Sequence, residues 1–408
     1  MQDSVDSTDI EAIIRWLIDG ARSAQTSEAV LGELCRRMVA ASIPISRVGV
    51  FVSTLHPDVF GRSFIWKQGN EVAIGEADFT LPDTEEFQTS PLHEVVRTAK
   101  PVRHRLAETP VGLSIVLDDV RNQGVTDYLA CPLIATDGSV DTVSWSTHEP
   151  GGFSEADIRN IERIVPALAR VAEVRALRRT ATTLLNTYVG PRTGARILAG
   201  QIRRGHTDLL HAAIWLSDLR GFTAISDRAP PIIVVDLLNR YFDCQVPAIN
   251  AHGGEVLKFM GDGLLAIFPV ADGGGDEAEV CRNALAAARE ARNAVRELRY
   301  SLLGGPAEAV NFGLALHLGN VLYGNIGGSN RLDFTCIGPA VNLAARMEKL
   351  TAPLKRTIVA SANFAQYAPD DWQDVGEFAV AGFARAQRVF GLKDEAAVDV
   401  GLSDSTAS

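Results

Sequence analysis

Cysteine pairs are missing from this chain. Its five cysteines, Cys35, Cys131, Cys244, Cys281 and Cys336, are odd in number and scattered, without disulfide or metal-ligand spacing. Such a set reads as reduced thiols and excludes a disulfide framework. No apolar run is long enough to cross a bilayer. The opening MQDSVDSTDI is acidic and lacks signal-peptide architecture. Positive charge is also short: 39 Lys and Arg stand against 50 Asp and Glu, a net charge of −11. That balance argues against broad binding to nucleic acid or to anionic membranes. The expectation is a cytoplasmic protein with no nucleic-acid and no membrane partner. A nucleotide substrate is still compatible, because metal ions can neutralise its phosphates locally. What is present is globular, with 46% hydrophobic and 22% charged residues. At 408 residues the chain is long for one domain.

Residues 1–157 mix helix and strand. IEAIIRWLIDGARSAQTSEAVLGELCRRMVAA predicts a helix and RVGVFVST a strand. SFIWKQGNEVAIG predicts a hairpin about Gly69-Asn70, PLHEVVRTAKPV a short helix ended by Pro101, and DYLACPLIATDGSVDTVSWST a second hairpin turning at Asp137-Gly138. FSEADIRNIERIV opens with Ser154 as N-cap and Asp157 three residues on. This order, and the closing GGFSEADIRNIERI above all, resembles a GAF-type sensor domain. The resemblance implies an α/β sensor fold with an unidentified small-molecule ligand. An α+β dimerisation domain without a ligand is the alternative. His56, His93 and His104 are lone histidines and are assigned no role.

Residues 158–208 predict a helical connector. Ile161, Val165, Leu168 and Ala172 form one apolar stripe, and Val174, Leu177, Ala181 and Leu184 form a second, out of register by a step near residue 173. Heptad-like spacing argues for pairing with a second copy, and a register step for two packings. The plain alternative is an amphipathic helix lying on its own domain. Residues 209–393 form the second domain, and 394–408 a tail expected to be disordered.

Three motifs mark the second domain. In HAAIWLSDLRGFTAISD an apolar strand runs into Asp218, and Gly221, Phe222 and Thr223 begin a helix. A carboxylate beside free helix N–H groups suits a cation and phosphates, although Asp218 or Thr223 capping the helix is the simpler explanation. In HGGEVLKFMGDGLLAIF a near-continuous apolar hairpin carries Lys258 in its first strand and Asp262 in its turn. An ordinary Gly-Asp turn and a snorkelling lysine account for this if nothing else does. Adjacent strands would set Asp218 beside Asp262, the arrangement of two-metal chemistry on phosphates. In RLDFTCIGPAVNLAARMEKL a strand breaks at Gly338-Pro339 and a helix follows, with Asn342 and Arg346 sharing one face.

In order and spacing, SDLRGFT, KFMGDGLLAIF and FTCIGPAVNLAARME are similar to the three signatures of class III nucleotidyl cyclases, over residues 209–393. YVGPRTGARILAGQIRRG resembles the segment preceding the catalytic domain in bacterial members. The resemblance implies an α+β chain: a GAF-like sensor domain, a helical connector and a ferredoxin-like, palm-type catalytic domain acting as a homodimer on ATP. It implies two divalent ions, Mg2+ or Mn2+, on Asp218 and Asp262, with the Leu219 carbonyl as a further ligand. Phe222 and Thr223 would meet the triphosphate. Lys258 and Thr335 would read the base, threonine being the form found in a bicarbonate-responsive bacterial-type subgroup. Asn342 would orient the ribose, and Arg346 would stabilise charge on the α-phosphoryl group. One position departs from the pattern: the late loop VAGFARAQRVFGL has Phe383 where a cation often stands, with Arg385 and Arg388 nearby. A guanylate cyclase is the near alternative, because Cys336 adjoins Thr335. A non-catalytic module keeping the fold is another. GGE at 253–255 also resembles a diguanylate cyclase turn, but that reading has no place for Lys258, Asn342 and Arg346.

Overall fold

The computed structural model describes residues 7–271, 275–301 and 305–395. It divides into two compact units, Met1–Leu184 and Leu185–Ser408.

The first unit is an antiparallel sheet with helices on both faces. Its central strand Arg47–Ser53 pairs with Gly61–Lys67 on one side and with Val140–Thr147 on the other; Ala73–Ala77, Asp127–Ile134 and Val102–Arg105 complete it. Val48, Val50 and Val52 point to one face, against helices Ser7–Ile18 and Ser27–Ala40. Leu92, Val95, Leu117 and Val120 cover the other face from helices Pro91–Thr98 and Ile115–Asn122. Both predicted hairpins form. The single long N-terminal helix does not. Gly20, at φ +85°, ends the first helix, and the Thr26 side chain caps the second by accepting from the Ala29 N–H. A left-handed residue and a new cap cannot lie inside one helix.

The helix Glu155–Val189 starts with a reciprocal cap: Asp157 accepts from the Ser154 N–H (2.9 Å) and hydroxyl, and its own N–H donates to Ser154 Oγ. Its first apolar stripe does not face a second copy. Ile161 and Leu168 are buried in the first unit's own core, with Val165 and Ala172 packed against it. Past residue 172 the helix holds its domain through polar groups. Glu173 accepts from the Thr136 N–H, Arg175 donates to the carbonyls of Ala24 and Gln25, and Arg179 donates to Ser27. Val174 and Leu177 therefore turn outward, 65% and 63% exposed. The register step marks this change of packing.

In the second unit, Thr207–Leu219 is central. It lies antiparallel between Phe312–Gly327 and Gly263–Pro269, and Glu255–Met260 forms the edge. Ile358–Ser361, Gln387–Leu392 and Trp372–Phe378 extend the sheet beyond Phe312–Gly327, and Leu332–Ile337 returns along that long strand. Side chains alternate as a pleat requires. Ala213, Trp215 and Leu219 meet helices Pro231–Asp243, Val246–Ala251 and Glu277–Glu297, while Ala212, Ile214 and Leu216 meet helix Pro339–Glu348. The unit runs past residue 393. Asp394 takes a two-pronged bond from Arg292 (2.9 and 3.2 Å), and buried Glu395 accepts from the N–H groups of Thr357 and Ile358. The rest of the expected tail, 396–408, lies outside the described residues. Among the described residues no helix is long and apolar enough to cross a membrane.

Candidate functional site

Asp218 is the penultimate residue of the central strand, directly opposite Gly263 of the neighbouring strand and Gly313 on the other side. Gly261 and Asp262 form the two-residue loop joining Met260 to Gly263, and Gly261 supplies the positive φ (+69°) such a loop needs. Asp262 is thereby carried to the end of the strand beside Asp218. A side chain at Gly263 would bring a Cβ to 3.3 Å from Asp218 Oδ1, so the glycine leaves room for the two carboxylates.

Burial and the neighbouring Asp262 charge push Asp218 up to about 6. A third carboxylate stands nearby. Glu348, buried at the end of helix Pro339–Glu348, is pushed up to about 7 by burial and then by the charge of Asp218, with Arg220 and Lys349 offsetting in part. A Cβ on Gly313 would clash with Glu348 and Thr351, so this glycine too is demanded by the carboxylates. Sequence reasoning passed over Glu348. Its signal was an acidic residue in the last turn of a helix, where the dipole disfavours it. Among the described residues there is no group of three or more His, Cys, Asp or Glu able to hold a metal. The donor set of Asp218 and Asp262 nonetheless suits a cation: two hard oxygen ligands repel each other until positive charge is supplied.

Burial and that repulsion together have a pH signature in metal-free protein. A carboxyl at about 6 when folded, against an ordinary 3.8, is protonated in both states below pH 3.8 and costs nothing there. The cost appears as pH rises and is complete above about pH 6. Asp218→Asn should stabilise chelator-treated protein by roughly 1 kcal/mol at neutral pH, after allowance for solvent screening of a half-exposed group. The gain should fade as pH drops toward 4. Thermal denaturation across that range checks it; a gain independent of pH would mean that neither burial nor Asp262 raises the Asp218 carboxyl.

Leu219 is buried in the main core, and Phe222 packs partly against it. Gly221, left-handed at φ +71°, precedes helix Phe222–Arg228, and no side chain caps that helix. Neither Asp218 nor Thr223 is spent on capping; Thr223 is exposed.

Lys258 lies where the edge strand is irregular: the pairing shifts register between Val256 and Lys258. Its ammonium pairs with Asp333, 75 residues on in sequence, a partner sequence reasoning missed. By strand alternation Asp333 and Thr335 share one face of Leu332–Ile337, whereas Phe334 and Cys336 turn into the apolar core. The edge strand is anchored at its start. Glu255 accepts from the Thr193 N–H (3.2 Å) and from Tyr323 Oη (3.2 Å), tying the short helix Pro191–Leu198 to the strand that bears Lys258.

Asn342 and Arg346 stand on the exposed face of helix Pro339–Glu348, while Ala340, Leu343, Ala344 and Met347 are buried. Among the described residues neither polar side chain has a hydrogen-bond or ion-pair partner. In the late loop Phe383 packs beside the cluster of Val380 and Val389, Arg388 is engaged by Asp374, and Arg385 is exposed.

Residues 207–390 match the model of the adenylate and guanylate cyclase catalytic domain. An adenylate cyclase of Anabaena cylindrica is 34% identical over 150 residues, which are 37% of this chain and 29% of that protein. Adenylate cyclase 1 of Rhizobium meliloti is 32% identical over 175 residues, 42% of this chain and 25% of that one. The adenylyl cyclase CyaB of P. aeruginosa, known from its crystal structure, is 25% identical with a TM-score of 0.38, over 47% of this chain and 97% of that one. The chain thus spans under a third of the length of these two curated relatives. The strand ending in Asp218, the Asp262 hairpin and the Asn342–Arg346 helix all fall inside the segment, residues 207–390, that matches the adenylate and guanylate cyclase catalytic domain.

Proposed function

We propose that the second unit converts ATP to 3′,5′-cyclic AMP and pyrophosphate as a homodimer, using two divalent ions, Mg2+ or Mn2+. The observation that carries this reading is the Asp218–Asp262 pair, two carboxylates forced together at adjacent strand ends. They and the Leu219 carbonyl would hold the ions. Once bound, divalent ions lower the pKa of the ribose 3′-hydroxyl and neutralise phosphate charge. The hydroxyl gives up its proton to solvent and its oxygen bonds to the α-phosphorus as the bond to the bridging oxygen breaks, and that oxygen leaves with pyrophosphate. Asn342 orients the ribose, and the Arg346 guanidinium meets the charge growing on the α-phosphoryl oxygens. The backbone at Phe222 and Thr223 faces the triphosphate. The first unit acts as a GAF-like sensor for a small molecule.

Adenine is the better fit to Lys258 and Thr335. Lys258 donates to ring N1, and the Thr335 hydroxyl accepts from the exocyclic amine; guanine has its own proton on N1, so two donors would collide. Support comes from the pairing of Lys258 with Asp333, which shares a face with Thr335, and from the burial of Cys336 on the opposite face. The purified chain, assayed with ATP or GTP and Mg2+ or Mn2+, should yield cyclic AMP in clear preference to cyclic GMP. The reverse preference would make it a guanylate cyclase. A folded dimer inactive on both would be a non-catalytic module.

Lys258→Glu with Thr335→Cys exchanges donor and acceptor. The double variant should lose the ATP preference by about tenfold or more, with GTP turnover rising relative to it. An ATP:GTP ratio equal to the parent's would mean these two side chains do not read the base.

A further inference from the structure

The first unit holds a cavity of about 630 Å³ between its sheet and the helices Pro91–Thr98 and Ile115–Asn122. The volume is that of a site for one small molecule. Its walls are largely apolar, with Phe51, Phe60, Phe87, Leu92 and Ile115 among them. The Phe51 ring lies close over Gly49, where a Cβ would stand 2.8 Å from it.

The charged groups on this wall differ in one respect. Arg62 is paired with Glu76 at 2.6 Å, Asp141 accepts from the Ser53 N–H at 2.8 Å, and Asp119 accepts from Gln123 at 2.7 Å. Glu86 is exposed. Arg47 opens the central strand on the same face as Phe51, and among the described residues its guanidinium has neither a hydrogen bond nor an ion pair. Burial already works against its charge, and Tyr128 and then Asp119 offset this in part without bonding to it. A half-buried, unpaired guanidinium beside an apolar space is a site that an acceptor-bearing molecule completes, since a partly desolvated charge gains from pairing.

We propose that this cavity binds a small apolar molecule carrying one anionic group, with Arg47 receiving the anion and the phenylalanine-lined space receiving the body. The proposal goes beyond the cyclase reading and does not rest on it, because binding is measured without nucleotide. A lone carboxylate, sulfonate or phosphate would serve equally at Arg47; the apolar body is what the aromatic wall selects.

The test is calorimetric titration of the full chain with three probes of one shape: 2-naphthoate, its uncharged methyl ester and the cation 2-naphthylmethylammonium. Naphthoate should bind one site per chain, at least about tenfold more tightly than the ester, and the ammonium should bind more weakly than either. Arg47→Met should reduce naphthoate to the ester's affinity and leave the ester's own affinity unchanged, which also reports that the variant is folded. Val116→Trp, which places an indole in the cavity, should weaken both. Failure of naphthoate to bind the parent chain would overturn the proposal. So would equal affinity for all three probes, an undiminished anion preference in Arg47→Met, or binding untouched by Val116→Trp. Should Arg47→Met not fold, the ranking of the three probes on the parent chain decides alone.

Discussion

Asp262→Ala should form cyclic AMP from ATP at least about a hundredfold more slowly than the parent, the scale of loss when a main electrostatic element of a site is removed. The expectation has a second half that separates it from simple damage. Asp262 sits in a two-residue loop and is not part of the buried core. Its charge is one of the causes holding Asp218 near 6. Removing it relieves that repulsion, so metal-free Asp262→Ala should be at least as stable as the parent. Loss of activity with an unchanged or raised thermal midpoint is the signature of a missing charge at the reaction centre. The concentration of Mg2+ or Mn2+ needed for half-maximal rate should rise as well, because one carboxylate cannot hold two cations as a pair does. Near-normal turnover by folded Asp262→Ala would end the two-metal reading.

The legible part of this site was the part written in local pattern. An apolar strand stopping at Asp218 before Gly221, and a Gly-Asp-Gly turn between apolar strands, each declare where a strand ends. Their adjacency followed from placing both in one sheet, and the observed partner of Asp218 is Gly263, next to Asp262. Asn342 and Arg346 were likewise fixed on one helix face by a spacing of four. What escaped notice depends on contacts between distant segments. Asp333 is near Lys258 only because the long strand Phe312–Gly327 and its return carry it back to the edge hairpin. Glu348 matters only because Gly313 lets a helix end approach Asp218. In the connector, the periodicity gave a true apolar face for Ile161 and Leu168, but periodicity does not name the surface that covers a face. The chain's own first unit covers this one. In the N-terminal stretch, helix propensity on both sides of Gly20 concealed a break that needed a positive φ and the Thr26 cap to be seen.

Asp218→Ala and Arg346→Ala should each be nearly inactive as homodimers, yet a heterodimer of the two should recover up to about half the parent activity if its sites act independently. The reasoning starts from what lacks a partner. Asn342 and Arg346 are exposed and without hydrogen-bond or ion-pair partners among the described residues. The carboxylate pair lies at the strand ends, and its nearest charged neighbours on that helix are Glu348 and Lys349. The same unit shows water large apolar side chains, Leu209 at 70% and Ile232 at 74% exposed, which association with a second copy would cover. In a two-fold dimer, one subunit would supply Asp218 and Asp262 to a site completed by Lys258, Thr335, Asn342 and Arg346 of the other. Pairing the two variants then places both lesions in one site and leaves the second site whole. Coexpression under two different affinity tags, sequential purification and measurement of turnover per heterodimer provide the test. A folded, demonstrably heterodimeric preparation without activity would place the carboxylates and Arg346 of each site on the same chain, and the exposed helix face would then need another explanation.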